Sequence, residues 1–103
     1  MLVEKLNVEG FRRFRRTDAW KKDKAPRTRE DWWRGWKYIK PVFGDCNPRT
    51  VTLEDIDSLR SAVEEKVSLR EAHRMLKIWR ALWKVLAALG YCVRDADPSL
   101  GVR

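Results

Sequence analysis

The segment from Ser68 to Tyr91 constrains the fold most, because its helical wheel divides sharply in two. At 100° per residue, Arg70, His73, Arg74, Lys77, Arg80 and Lys84 fall within an arc of about 120°. Leu69, Ala72, Met75, Leu76, Ile78, Trp79, Leu82, Trp83, Val85, Leu86 and Leu89 take the rest of the circumference. A helix apolar over more than half its girth has to lie centrally in a bundle. Its one exposed strip is then cationic from end to end and carries no acid. That pattern reads as a core helix whose outer edge is a binding face for a polyanion.

The flanking residues give this helix its limits and its neighbours. Ser68 and Glu71 predict a capping box at its start, and Gly90 stands just past its end. Upstream, Thr28 is expected to cap another helix, with Glu30 and Asp31 favourable in its first turn. Trp32, Trp36, Ile39 and Phe43 share one face of it; Pro41 is expected to kink or end it, and Gly44 to finish it. Residues 45–51 read as a loop. Thr52 with Asp55 then predicts a capped helix whose buried stripe is Leu53, Ile56, Leu59, Val63 and Val67. Its outer face holds Glu54, Asp55, Asp57, Glu64 and Glu65, and should point away from any polyanion. No alternation of strand type and no internal repeat is present. The fold class is all-α: a small bundle of three main helices, with room for an extra N-terminal helix.

Three regions follow. Residues 1–26 form a basic N-terminal segment, 27–91 the helical domain, and 92–103 an extended linker marked by Asp97-Pro98 and Gly101. In the first, Phe11, Phe14, Ala19 and Trp20 make a weak helical stripe among Arg12, Arg13, Arg15, Arg16, Lys21, Lys22 and Lys24. Two readings stand side by side: a solvated, partly ordered lead-in, or a basic arm that follows a phosphate backbone.

Charge narrows the partner. The net charge is +8 and the isoelectric point about 9.9, which suits nucleic acid or an anionic membrane surface. Residues 1–49 hold 14 Lys and Arg against 7 Asp and Glu, while residues 50–103 hold 9 against 8. No apolar run reaches the length of a bilayer span, and no signal-peptide pattern follows Met1. A helix lying on a membrane is disfavoured because the apolar faces are needed for the core. Cys46 and Cys92 are isolated thiols and the chain has a single His, which argues against a zinc site and for a reduced cytoplasmic protein.

No catalytic constellation is visible. Tyr38 and Tyr91 have nothing nearby in sequence to activate them, and the five Gly are scattered rather than gathered into a phosphate loop. The expectation is a chain with no catalytic residue of its own, no metal, no cofactor and no small-molecule substrate. Of the six Trp, Trp32, Trp36, Trp79 and Trp83 lie on apolar stripes and belong to the core. Trp20 and Trp33 remain open between packing and base stacking.

The order of these parts resembles the core-binding domain of tyrosine recombinases, the phage integrases. The resemblance is carried by Thr28 heading a helix with Trp32 and Trp36, then Ile39-Lys40-Pro41-Val42-Phe43-Gly44-Asp45, then Thr50-Val51-Thr52-Leu53-Glu54-Asp55-Ile56. It continues through Ala72-His73-Arg74-Met75-Leu76, Trp79-Arg80 and Leu82-Trp83-Lys84 to Gly90-Tyr91. Asp97-Pro98 with Leu100 and Gly101 is similar to the linker that leads into the family's catalytic domain. The likeness covers residues 27–103. His73 stands where the family often has Asn, and Trp replaces smaller aromatics or Leu, so detailed base contacts do not carry over.

The resemblance implies a SAM-like bundle that grips double-stranded DNA for integration and recombination. It would work beside other integrase protomers, while a catalytic domain absent from this chain cuts. In that frame Arg70, Arg74, Lys77, Arg80 and Lys84 contact phosphates, and His73, with Lys77, lies near base edges. Arg27, Thr28 and Arg29 form a second contact at a helix N-terminus. Neutralising about five phosphates gives a salt slope near −4.5. The competing readings are a helix-turn-helix regulator, whose recognition helix would be shorter and less buried, and a protein-interaction module using Trp20 and Trp33.

Overall fold

The computed structural model describes residues 6–102, and it is built around the helix that the wheel singled out. In chain order the helices are α1 (Leu6–Arg15), α2 (Asp18–Lys21), α3 (Pro26–Phe43), α4 (Leu53–Lys66) and α5 (Leu69–Ala88). Short 3-10 turns follow at Pro48–Thr50, Arg94–Ala96 and Pro98–Gly101. Among the described residues there is no strand, and the molecule is an all-α bundle. Residues 1–5 of the N-terminal segment and Arg103 of the tail lie outside the described residues.

α5 is central. Ala72, Met75, Leu76, Ile78, Trp79, Leu82, Trp83 and Leu86 are all buried, and α1, α3 and α4 each pack on it. Only its ends depart from the wheel: Leu69 is 51% exposed, and Val85 and Leu89 are half-buried. α3 and α5 meet closely at Gly35, where an added Cβ would come within 2.5 Å of Ile78 Cβ and Cγ1. The predicted aromatic core holds, with Trp32, Trp36, Trp79 and Trp83 all buried.

Thr52 and Asp55 exchange both hydrogen bonds of a capping box on α4. Gly90, at φ +85°, ends α5 in a Schellman turn, with Tyr91 N–H on Leu86 O and Gly90 N–H on Ala87 O. The Ser68 box is only half made. Ser68 Oγ accepts the Glu71 N–H at 3.1 Å, but the Ser68 N–H already closes the end of α4 on Val63 O. Glu71 is thereby free to bind the side chains of Tyr38 and Arg74.

Thr28 is not a cap. α3 begins earlier, with Ala25 at the N-cap and Pro26 in the first turn, where its fixed φ and missing N–H cost nothing. Pro41 does not stop the helix, which runs on to Phe43; Pro41 and Lys37, whose carbonyl loses its partner, are both on the exposed side. The loop at 45–51 contains a 3-10 turn that buries Pro48. On α4 only Ile56 and Val63 are buried, whereas Leu53 is 43% and Val67 54% exposed, because the stripe outruns its neighbours at both ends.

The weak stripe of the N-terminal segment is realised as a docked helical pair, α1 and α2, which buries Asn7, Gly10, Phe11 and Trp20 and is neither a solvated lead-in nor a free arm. Asn7 Nδ2 donates to Phe43 O at 2.8 Å and Val8 N–H to Gly44 O at 3.1 Å, so α1 satisfies carbonyls at the end of α3. Phe11 is fully buried, with the rings of Trp20, Trp32, Trp33 and Trp36 at centroid distances of 5.5, 5.5, 5.2 and 5.0 Å. Ala19, placed on that stripe by its spacing, is exposed instead. Nor is the stretch after Tyr91 an extended linker: Cys92, Asp97, Ser99 and Val102 are buried against the helices.

Gly35→Ala should destabilise the fold. The helical preference of Ala is worth about 1 kcal/mol, but the β-branched Ile78 cannot swing aside and overpacking costs about 1–3 kcal/mol. Urea unfolding of the variant should show the lower midpoint.

Candidate nucleic-acid interface

The outer face of α5 exists because every other direction around the helix is occupied. Arg70, His73, Lys77 and Lys84 stand exposed on it, one turn or two apart, and none forms an ion pair among the described residues. Along the axis, Arg70 to Lys84 is 14 rises, about 21 Å. These four make a line of outward cations.

The other two members of the strip have different work. Arg74 is half-buried between Glu71, which it pairs with one turn back, and Asp31 of α3 at 3.7 Å. Tyr38 of α3 donates its hydroxyl to the same Glu71 at 3.0 Å. Burial first, and then that hydrogen bond to a carboxylate, push the Tyr38 phenol above its ordinary range. This network ties α3 to α5, and it brings to the strip's flank, beside Glu71 of α5, an acid that a wheel of one helix does not show, Asp31.

Arg80 faces the tail. Its Nε donates to Ser99 Oγ at 3.1 Å, and its Nη2 donates to Ser99 O at 2.9 Å and Val102 O at 2.8 Å. Two neighbours on α5 do likewise with their indole N–H groups: Trp79 donates to Asp97 Oδ1 at 3.0 Å and Trp83 to Val93 O at 2.9 Å. Asp97 Oδ1 also accepts the Ser99 N–H at 2.8 Å. The tail docks because α5 offers polar tips at the margin of its apolar surface. Arg94, assigned by sequence to a linker, consequently lines a cleft with Lys84, Arg80 and Trp83.

At the start of α3, Arg27 and Thr28 are exposed within the first turn, which contains no acid and no side-chain cap. Arg29 is half-buried and donates to Lys21 O at 3.2 Å. Thus Arg27 and Thr28 present a helix N-terminus to solvent, and Arg29 braces it from behind.

The outer face of α4 is acidic, and Asp95 and Asp97 join Lys84 and Arg94 around the cleft at the tail. Glu54, Asp55, Asp57, Glu64 and Glu65 are exposed on α4, and Arg60 is held between Asp57 at 3.2 Å and Glu64 at 2.7 Å. The hydrogen bonds that Arg60 donates to Asp57 and, to a lesser degree, Glu64 hold it above its ordinary range against the opposing effect of burial. Cys46 and Cys92 are free thiols, and burial pushes that of Cys92 up. Among the described residues, no helix is long and apolar enough to cross a membrane.

No family model matches this chain, and no match to a curated protein or a solved structure was found.

The division of the strip predicts two kinds of variant. Arg80→Ala leaves Ser99 Oγ and two carbonyls without their donor, and should cost about 1–3 kcal/mol while speeding hydrogen exchange in residues 97–102. Lys77→Ala and Lys84→Ala should each stay within about 0.5 kcal/mol of the parent.

Proposed function

We propose that this chain is a DNA-binding domain of the core-binding type found in tyrosine recombinases of phage-integrase kind, and that it holds duplex DNA against the outer face of α5. The observation that carries this reading is the line Arg70, His73, Lys77 and Lys84, exposed and without an ion pair among the described residues, on a helix otherwise buried, while the outer face of α4 is acidic. The sequence resemblance supports it through the segments Ile39–Asp45 and Thr50–Ile56 and the pattern of α5, while Thr28 and Asp97-Pro98 have other roles in the fold.

In this reading the domain grips while bond cutting belongs to a catalytic domain elsewhere in the recombinase. The setting is the reducing cytoplasm, on DNA shared with other protomers. Arg70, Lys77 and Lys84 meet phosphates, and His73 reaches toward base edges. Arg27 and Thr28 add a phosphate at the N-terminus of α3, where the dipole and unpaired N–H groups favour an anion. Arg74 and Arg80 act through positioning: one holds α3 on α5, the other holds the tail.

Arg70, Lys77 and Lys84 of α5, with Arg27 of α3, are four phosphate-directed cations, and their contribution to the salt slope is about −3.6. Titration of a fluorescent duplex across several salt concentrations measures it directly. Lys77→Glu combined with Lys84→Glu should weaken binding by more than about tenfold at low salt and leave the melting temperature unchanged. A salt-independent signal, or no binding at low salt, overturns the reading. Trp33, 46% exposed, carries the competing one: binding to an acidic protein without affinity for DNA would make the domain a protein-interaction module.

A further inference from the structure

The N-terminal helical pair carries seven cations whose role the α5 strip does not explain, and the fold sorts them into two groups. Three are turned inward or neutralised. Arg15 lies over Phe11 and Trp33 at 4.5 and 4.8 Å, Lys24 lies 5.7 Å from both Phe14 and Trp32, and Arg12 pairs with Glu9 at 2.8 Å. The remaining four, Arg13, Arg16, Lys21 and Lys22, are exposed, Arg13 with its guanidinium 5.8 Å from the Tyr91 ring, and they outnumber the exposed acids of the same stretch, Asp18 and Asp23. Lys22 touches Asp18 only at 3.8 Å with both side chains about three-quarters exposed, a pair of little strength.

Their position matters as much as their number. Gly10 lets α1 approach the end of α5, since a Cβ there would meet Leu86 Cδ2 at 2.2 Å. Arg13 Nη1 donates to the Tyr91 hydroxyl at 2.8 Å, just past the end of α5. Arg13, Thr17 and Ala19 then line one shallow apolar groove of about 220 Å³ with Val85, Ala88 and Leu89. On the α5 wheel Ala88 falls on the same arc as Arg70, Lys77 and Lys84. The α1–α2 edge thus takes over where α5 runs out of cations.

We infer that this edge is a second phosphate-binding surface, continuous with the α5 strip, so that duplex DNA is followed from Arg70 across Ala88 to Arg13 and Arg16. The inference rests on the DNA-binding reading above. Its geometry suits a duplex. Arg70 to Ala88 is 18 rises, about 27 Å, and crossing to a packed neighbour adds about 8–10 Å. Because the step is sideways to the axis, the straight span is about 29 Å, or about eight base pairs at about 3.4 Å each. The side that would meet the backbone has small residues, Ala88, Thr17 and Ala19, between its cationic ends, which allows close approach of a sugar-phosphate chain.

The test compares the parent with Arg13→Gln/Arg16→Gln, in which the aliphatic stems and helix preference are largely kept. Two lost phosphate contacts should make the salt slope less negative by about 1.8. The shortest duplex bound at full affinity should also fall from about eight base pairs to about six, the length spanned by Arg70 to Lys84 alone. Circular dichroism melting separates this from unfolding. If the loss of the Arg13–Tyr91 bond lowers the melting temperature, Arg16→Gln/Lys22→Gln, which touches neither that bond nor the aromatic cluster, replaces it with the same expected shift. A parent that binds DNA with the strip's salt slope, beside a double variant of identical slope and length requirement, overturns this inference and leaves the proposed function standing. A parent that does not bind duplex DNA overturns both.

Discussion

The burial of α5 is the constraint on which the rest of the structure depends. With Ala72, Met75, Trp79 and Leu86 fully enclosed and Leu82 nearly so, three sides of the helix must be covered at once. No single neighbour in a chain this short can do that. α3 and α4 take two sides, α1 closes the end beyond Trp83, and the tail fills the margin beside Arg80. What is left open is a narrow face, and only residues tolerant of water stand there. The cationic line is therefore a consequence of packing as well as a surface in its own right.

Polar tips on apolar bodies hold the margins of that helix. Trp79, Arg80 and Trp83 bury their bulk in the bundle and donate hydrogen bonds to residues 93–102, which supply carbonyls, a hydroxyl and the Asp97 carboxylate. Indole and guanidinium groups left without acceptors at such depth would be costly. The tail is thus the partner that makes two tryptophans and an arginine tolerable inside a small fold. One cation of the strip is withdrawn from solvent in the process, and Arg94 is placed beside Lys84.

At the other end, an aromatic cluster decides the fate of the basic segment. Phe11 sits among four tryptophans, and Arg15 and Lys24 lie over rings of the same cluster, where the π-faces stabilise them. Charge density that reads as a free arm becomes a folded, half-neutralised layer. Trp33 keeps about half its surface exposed under Arg15, which leaves it less available to a stacking base than its exposure alone suggests.

By itself the sequence determined what local periodicity and capping chemistry encode: three main helices, the Thr52–Asp55 box, the stop at Gly90, the buried Trp32, Trp36, Trp79 and Trp83, and the acidic outer face of α4. These depend on side chains within about four positions of one another, a range over which helical geometry is fixed. Tertiary structure alone decided which cations are free. Arg74 and Arg80 share an arc with Lys77 on the wheel, yet Asp31 is 43 residues from Arg74 and Val102 is 22 from Arg80. The docking of residues 7–24 and 92–102 was illegible for the same reason. Asn7 meets Phe43, Arg13 meets Tyr91 and Trp79 meets Asp97 across separations that no periodic pattern spans. A wheel records direction around one axis; the partners that occupy that direction come from elsewhere in the chain.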